Sequence, residues 1–126
     1  MKIQEDYKYA KTHEWVKVDG DEATVGVSDY AQQQLGDVVF VEVETEGDEL
    51  DKEEAFGTIE AVKTVSDIYM PVGGEVLEFN EKLEDNPDMV NKDPYGDGWI
   101  VKIKISDKSE LDDLMDAEAY KKETEE

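Results

Sequence analysis

The sequence contains no cysteine, no arginine and only one histidine, His13. The lack of cysteine excludes disulfides, thiolate metal ligands and cysteine nucleophiles. There is also no phosphate-binding loop, no dinucleotide-binding glycine pattern and no nucleophile elbow, so the sequence predicts neither catalytic residues nor a metal site and favours a non-enzymatic protein. No apolar run reaches the length of a membrane span, and the first residues do not resemble a signal peptide. A cytoplasmic protein is therefore expected.

Positive charge is scarce in this chain. The 126 residues include 35 acidic side chains against 13 lysines, which gives a formal net charge of −22. Such a surface repels phosphate backbones and anionic lipids, so neither a nucleic acid nor a membrane is an expected partner. Partners with basic patches would be attracted to it. General solubility or a saline cytoplasm would explain the same excess, and composition alone leaves these alternatives open.

Short strands separated by turns account for most of the recognisable pattern. Asp19 and Gly20 form a strong turn pair between two of these strands, which predicts an N-terminal hairpin. The third strand is apolar enough to be partly buried on both faces, and the segments 86–91 and 93–98 are predicted to be turn-rich loops. The predicted strands are Glu14–Val18, Glu22–Val27, Asp37–Val43 and Trp99–Ile105.

One short helix is expected inside the β-rich region. Ser28 is a good N-cap, Asp29 suits the first turn, Tyr30–Leu35 forms the helix, and Gly36 can end it. The C-terminal region, from about residue 107, changes to a helical period and is predicted to form a helical extension of a single domain that spans residues 1–126.

Within that extension, Asp107 and Glu110 have the spacing of a capping box. A second short helix is expected after Asp116, and the last six residues are expected to fray. One helical face is predicted to cover the β-rich region through Leu111, Leu114 and Met115.

A faint internal repeat suggests how the strands are arranged. The segment Gly36–Val39 is similar to Gly74–Leu77, and Gly57–Glu60 is similar to Gly98–Val101. Two copies are too few for a solenoid. A two-fold arrangement of short strands, as a sandwich or flattened barrel, is the simplest geometry that fits.

Lys63 lies between the two copies, at the predicted tip of a hairpin that spans Phe56–Met70. A two-residue hairpin turn favours Asn-Gly or Asp-Gly, because those residues tolerate positive φ. The pair at this turn, Val62-Lys63, matches neither of these two pairs. Because local rules are most often broken where a protein has a function, this exposed lysine is a candidate site of covalent modification.

Four blocks of the chain resemble the glycine cleavage system H-protein family, whose members carry lipoate. The four blocks are Tyr9–Val16, Gly26–Val41, Glu60–Asp67 and the loop sequence from Asn86 to Trp99. The third block, Glu60–Asp67, surrounds Lys63 and is similar to the family's lipoylation motif.

The resemblance implies a mainly β, barrel-sandwich hybrid fold of the lipoyl- and biotinyl-carrier type, with lipoate in amide linkage to Lys63. It implies a carrier that shuttles the aminomethyl group of glycine from a pyridoxal-phosphate glycine decarboxylase to a folate-dependent aminomethyltransferase. Dihydrolipoyl dehydrogenase would then reoxidise the arm, and a lipoate ligase or a lipoyl/octanoyl transferase would attach it.

Further residues around the lysine are assigned roles on the same basis. Glu60, Val62 and Asp67 are expected to contribute to recognition of Lys63. Glu14 and Asp67 are expected to hold the amine of the loaded arm through charge-assisted hydrogen bonds. His13 is expected either to be satisfied by backbone groups or to form a wall near the carried group.

Several alternatives remain open at this stage. The chain could be a biotinyl domain or the lipoyl domain of an oxo-acid dehydrogenase, although the residues that flank Lys63 fit neither pattern well. It could also be a relay that donates its lipoyl group to other lipoyl domains. A stand-alone enzyme is the remaining class, and the missing catalytic residues argue against it.

Overall fold

The computed structural model describes residues 3–124, which form two antiparallel β-sheets packed around an apolar core. Within these residues the sheets do not join into a closed barrel, and the predicted mainly β architecture is confirmed. The larger sheet has six strands, in the spatial order β1 (Lys8–Tyr9), β2 (Glu14–Asp19), β3 (Glu22–Val27), β9 (Val101–Ile105), β8 (Gly74–Phe79) and β5 (Glu49–Leu50). The smaller sheet has three strands, in the order β4 (Val38–Glu42), β6 (Ala55–Ala61) and β7 (Val65–Tyr69).

Short helices connect and cover the sheets. None of the helices in the described part of the chain has the length and apolar character that a bilayer crossing requires. The α-helices are α1 (Asp29–Leu35), α2 (Lys82–Asp85), α3 (Met89–Lys92) and α4 (Ala117–Thr124), and a 3₁₀ helix spans Lys108–Asp113.

The predicted N-terminal hairpin and internal helix are confirmed. Gly20 adopts φ 65° in the turn between β2 and β3, as a tight turn requires. The Ser28 hydroxyl accepts a hydrogen bond from the Ala31 N–H at 3.1 Å, which caps α1. Gly36 ends α1 with φ 79°, a backbone conformation that favours glycine.

The internal repeat corresponds to a repeated strand pair. The first copy forms the antiparallel pair β4 and β6, and the second forms β8 and β9. Each pair has a register shift at the matching place, between Val38 and Phe40 in the first copy and between Val76 and Glu78 in the second. A register shift of this kind bends the strand and changes which side chains face the core.

This irregularity overturns one expectation. The segment around β4 was expected to be partly buried on both faces, but Val39 and Phe40 are both 47% exposed while Val38 and Val41 are buried. Only one face of β4 therefore contributes to the core, because the shift places two consecutive apolar residues outside.

The C-terminal expectations are partly correct. Asp107 caps the 3₁₀ helix through Ser109, but the Glu110 carboxylate accepts the N–H of Gly73 at 2.8 Å, so it anchors the helix to a loop where a capping box was expected. Leu111 and Leu114 pack on the main core as predicted.

Met115 does not share that face, because it packs in a second cluster. The second helix forms as predicted. It continues through Lys121 to Thr124, so the expected fraying is wrong over that range, and residues 125–126 lie outside the described residues. The loop 86–91 was also predicted without a helix, whereas Met89–Lys92 forms one.

The second cluster is aromatic and joins the two ends of the chain. The rings of Tyr9 and Tyr120 stack with centroids 4.3 Å apart, and the Trp15 indole N–H donates to the Pro94 carbonyl at 2.9 Å. Tyr95 and Ala117 complete the buried part of this cluster. As a result, α4 is fixed against β1 and β2, next to the region that contains the candidate site.

Candidate functional site: the Lys63 hairpin and its cleft

Lys63 lies at the exposed tip of the hairpin formed by β6 and β7. The Ala61 N–H donates to the Thr64 carbonyl at 2.7 Å, which closes a loop whose two central residues are Val62 and Lys63. Among the described non-glycine residues, only His13 and Glu53 have positive φ, so this turn is not of the type that Asn-Gly favours. The structure therefore presents the lysine on a short loop supported by two paired strands.

The connection between α1 and β4 lies beneath this tip. A β-carbon built on Gly36 would lie 3.2 Å from Lys63 Cε, so the lysine side chain rests directly over Gly36. The Val62 N–H also donates to the Asp37 carbonyl at 3.0 Å. Gly36 and Asp37 thus form a ledge that supports the hairpin tip.

Asn91 holds this ledge in place from α3. Its side-chain oxygen accepts the N–H of Val38 at 2.9 Å, and its amide group donates to the Gly36 carbonyl at 2.8 Å. The same amide group also donates to the Gln32 side chain at 3.0 Å. One side chain therefore fixes the end of α1, the ledge and the start of β4.

A cleft of about 160 Å³ runs along β7 below the hairpin tip. Its walls come from α1, from β7 and from the residues that lead into β2, which are far apart in sequence. The residues that define this β7 cleft include Thr12, His13, Glu14, Tyr30, Ser66 and Asp67.

Glu14 is the buried acid of the β7 cleft, with 2% of its surface exposed. Its carboxylate accepts hydrogen bonds from the Thr12 hydroxyl and, at 3.3 Å, from the Tyr69 N–H. Burial raises the pKa of Glu14 to about 7, although both hydrogen bonds act in the opposite direction. The cleft therefore contains a carboxyl group that changes charge near neutral pH.

His13 forms another part of the cleft wall and is tied to the C-terminal helix. Its Nδ1 lies 2.8 Å from the Tyr120 hydroxyl, which in turn lies 2.6 Å from the Ser28 hydroxyl. Its ring packs on Tyr30, with centroids 4.8 Å apart. Burial lowers the pKa of His13, which favours the neutral imidazole. The partner of this histidine is thus a side chain rather than the backbone, and the residue does line the cleft.

Comparison with known proteins identifies the family. The sequence model described as "Glycine cleavage H-protein" matches residues 7–126. The chain belongs to the glycine cleavage H-protein family. It is 57% identical over 121 residues to a glycine cleavage system H protein of Bacteroides thetaiotaomicron, an alignment that covers 96% of each chain. It is also 57% identical over 126 residues to one from Halothermothrix orenii, which covers 100% of this chain and 98% of the relative.

A solved structure supports the same assignment. The crystal structure of a glycine cleavage system H protein from Mycobacterium marinum superimposes with a TM-score of 0.84 at 32% identity, covering 96% of this chain and 98% of the other. This likeness confirms the barrel-sandwich hybrid fold. H proteins are lipoyl carriers, so the family assignment also decides against the biotinyl and oxo-acid lipoyl domains.

The predicted site residues lie in two places, on the hairpin that carries Lys63 and in the β7 cleft. Glu60 and Val62 are exposed on the hairpin beside Lys63, on its outer surface. Glu14 and Asp67, which were expected to act together, line the same cleft. Among residues 3–124 no group of His, Asp or Glu side chains is arranged to hold a metal ion.

Sequence reasoning missed the ledge. Gly36 was predicted to end a helix and to begin the first copy of the repeat, and Asn91 was predicted to lie in a turn-rich loop, but neither was predicted to support Lys63. The repeat offered a signal for Gly36, because Gly74 occupies the matching position in the second copy. No local pattern in the sequence indicated that the Asn91 amide would reach the Gly36 carbonyl.

Proposed function

We propose that this chain is the lipoyl carrier of the glycine cleavage system, with lipoate attached through an amide bond to Lys63. As a non-catalytic carrier, a single domain over residues 1–126, it moves the aminomethyl group of glycine from the pyridoxal-phosphate glycine decarboxylase to the folate-dependent aminomethyltransferase. Dihydrolipoyl dehydrogenase then reoxidises the arm. The observation that supports this role best is the exposed lysine on a braced two-residue loop, with the β7 cleft lined by Ser66 and Asp67 farther along the same hairpin.

The residues around Lys63 are suited to receive the group. Lipoate supplies a dithiolane whose sulfur carries the cargo, and the amide bond removes the positive charge of the lysine. The tip is exposed, so a modifying enzyme can reach it, and Glu60, Val62 and Asp67 would form the local recognition surface. The ledge at Gly36 and Asp37 keeps the loop rigid, so that motion is confined to the side chain and the arm.

The β7 cleft would protect the loaded arm. The cargo ends in an amine that is cationic near neutral pH, and Glu14 is buried where such a cation could pair with it. An adjacent cation favours the ionised carboxylate and would lower the raised pKa of Glu14. Asp67 supplies a second carboxylate at the cleft wall. Glu14 would pair with the amine from inside the cleft and the exposed Asp67 from its outer wall.

The assignment of Lys63 is tested by intact-mass spectrometry of the protein after incubation with lipoate, ATP and a lipoate ligase. The wild type should gain the mass of one lipoyl group, and the Lys63→Arg variant should gain none. An equal gain in the variant would place the modification at another lysine.

The carrier role is tested by reconstitution with the three partner enzymes. Lipoylated protein should support glycine-dependent NADH formation, whereas the apo protein should not. Lipoylated protein that is inactive here but passes its lipoyl group to a separate lipoyl domain would favour the relay role.

The role of the acids is tested with the Glu14→Gln/Asp67→Asn double variant. Its loaded form should lose the aminomethyl group faster than the wild type when no partner enzyme is present. The Glu42→Gln/Glu44→Gln double variant, which changes two exposed carboxylates outside the cleft, serves as the control for net charge. Equal release rates in all three proteins would remove the acids from this role.

A further inference from the structure

The outer face of the smaller sheet carries apolar side chains that the core does not use. Phe40 is 47% exposed, Val65 is 61% exposed and Val62, next to the lysine, is 75% exposed. Phe40 pairs with Glu60 across β4 and β6, and Glu60 pairs with Val65 across β6 and β7. Neighbours in such rows lie about 5 Å apart. Phe40, Glu60 and Val65 therefore form one row across the smaller sheet, and Val62 follows β6 in the loop at the end of the same hairpin. The three apolar side chains, Phe40, Val62 and Val65, are here called the apolar collar.

The fold itself does not require an aromatic residue at this place. In the second copy of the internal repeat, Glu78 occupies the position of Phe40. The two segments have the same burial order, with a buried valine, two exposed residues and a buried residue. The copy without a modified lysine thus shows that a charged residue is compatible with this bend. Folding alone therefore does not explain why an aromatic side chain is exposed at position 40.

The collar places apolar groups on a strongly acidic chain, whose net charge is −22. Val62 and Val65 lie within two residues of Lys63, and the exposed carboxylate of Glu60 lies between Phe40 and Val65 in their row. Solvent-exposed apolar groups that cluster in this way are typical of a contact surface. The complementary partner would offer an apolar patch with a positively charged group opposite Glu60.

The short reach of the lysine indicates which partner is involved. For the amide to form, Lys63 Nζ must itself attack the carbonyl carbon of an activated lipoyl group. Nζ first gives up one proton to a base and attacks as the neutral amine; the C–N bond forms, the activating group leaves with the bonding electrons, and the second proton lost from Nζ passes to a base or to the departing group. Nζ can reach the active site of another enzyme only if that enzyme also covers the protein surface around the loop tip. Once the arm is attached, the reacting sulfur lies beyond the lysine, so later partners need not cover that surface.

We propose that the apolar collar is the docking surface for the enzyme that attaches lipoate to Lys63, rather than for the enzymes that act on the attached arm. This inference rests on the proposed lipoylation of Lys63. It extends the recognition surface from the hairpin to β4, through Phe40, which is distant from the lysine in sequence.

The test compares lipoylation rates of apo variants with a lipoate ligase, lipoate and ATP. The Val62→Thr/Val65→Thr double variant keeps the β-branched shape but replaces exposed methyl groups with hydroxyls. Phe40→Glu copies the residue found in the second repeat. Each should lower kcat/KM for lipoylation about tenfold, the scale of a moderate interface hot spot. Val18→Thr is the matched control, because Val18 is 41% exposed but lies on the larger sheet, and its rate should stay that of the wild type.

The second arm uses the same variants after prolonged incubation has lipoylated them completely, as confirmed by intact mass. Their rates with dihydrolipoyl dehydrogenase and NADH, and in the reconstituted glycine assay, should match those of the wild type. Thermal unfolding of each variant establishes that it is folded.

The outcomes separate the two ideas. Unchanged lipoylation of folded collar variants would overturn the docking assignment, and so would an equal loss in the assays that use the attached arm, because the collar would then serve all partners. Failure of the wild type to accept lipoate at Lys63 would instead overturn the proposed function itself.

Discussion

Replacing Glu14 with glutamine should change how the stability of the protein depends on pH. The carboxyl group is almost fully buried and its pKa is raised by that burial to about 7 from an ordinary value of 4.5. Glutamine has the same shape and cannot ionise. The glutamine side-chain oxygen can accept the hydrogen bond from the Tyr69 N–H, and its NH₂ group can donate to the Thr12 hydroxyl. Both contacts of Glu14 are therefore kept, and only the bond to Thr12 changes direction.

The sign and size of the effect follow from proton linkage. Below the pKa of the unfolded chain both states hold the proton, and burial of the neutral acid carries no ionisation cost. Between about pH 4.5 and pH 7 the unfolded state releases its proton while the folded state retains it, so the free energy of unfolding falls as the pH rises. The full difference, reached above pH 7, is about 3 kcal/mol.

The assay is urea unfolding of the wild type and the Glu14→Gln variant from pH 4.5 to pH 8. The difference in free energy of unfolding should shift in favour of the variant by about 3 kcal/mol across that range. Glu42→Gln removes the same charge from an exposed site and corrects for the general repulsion of a highly acidic chain. Parallel pH profiles for the two variants would refute a raised pKa at Glu14.

Three further substitutions test the ledge and the cleft wall. Gly36→Ala and Gly47→Ala both place a β-carbon at positive φ, and each should lower the free energy of unfolding by about 1–2 kcal/mol. Only the β-carbon at position 36 would meet Lys63, so only Gly36→Ala should slow lipoylation. Equal lipoylation rates for the two variants would contradict the contact between Gly36 and Lys63. Asn91→Asp keeps an acceptor for its backbone partner but loses its donors, so urea unfolding should show a loss of about 1–3 kcal/mol. Hydrogen exchange at the Val38 amide should be faster in Asn91→Asp than in the wild type, because the ledge is held less firmly. Unchanged exchange would argue against the role of Asn91 in holding the ledge. Tyr120→Phe removes the hydroxyl between α1 and His13 and should lower the free energy of unfolding by about 1–2 kcal/mol, whereas an unchanged value would mean that this bridge adds no stability.

Local chemistry made the first hairpin, the internal helix and the position of Lys63 predictable. The Asp19-Gly20 pair specifies a turn, the hydroxyl of Ser28 satisfies helix donors, and Gly36 supplies the positive φ that ends the helix. Each of these signals acts between residues close in sequence. The place of Lys63 at the tip of a hairpin was predictable because strand-like runs flank it on both sides.

The cleft and the exposed side of β4 could not be predicted in the same way. The burial of Glu14 depends on residues that are distant in sequence, among them Tyr69 of the smaller sheet, whose N–H donates to its carboxylate. The exposure of Phe40 depends on a register shift, and strict alternation of side chains fails at such shifts. In the sequence, the shift is indicated by the internal repeat, because Leu77 and Glu78 lie at the corresponding shift in the second copy.

The backbone contact between Tyr9 and Met115 also covers one edge of the larger sheet. β1 is an outer strand of the larger sheet, and on its free side the backbone groups of Tyr9 exchange two hydrogen bonds of 2.8 Å with Met115. At the opposite edge β5 is only two residues long. An uncovered strand edge is a template for pairing with another molecule. We therefore expect that loss of the segment that contains Met115 would uncover the edge of β1 and promote self-association.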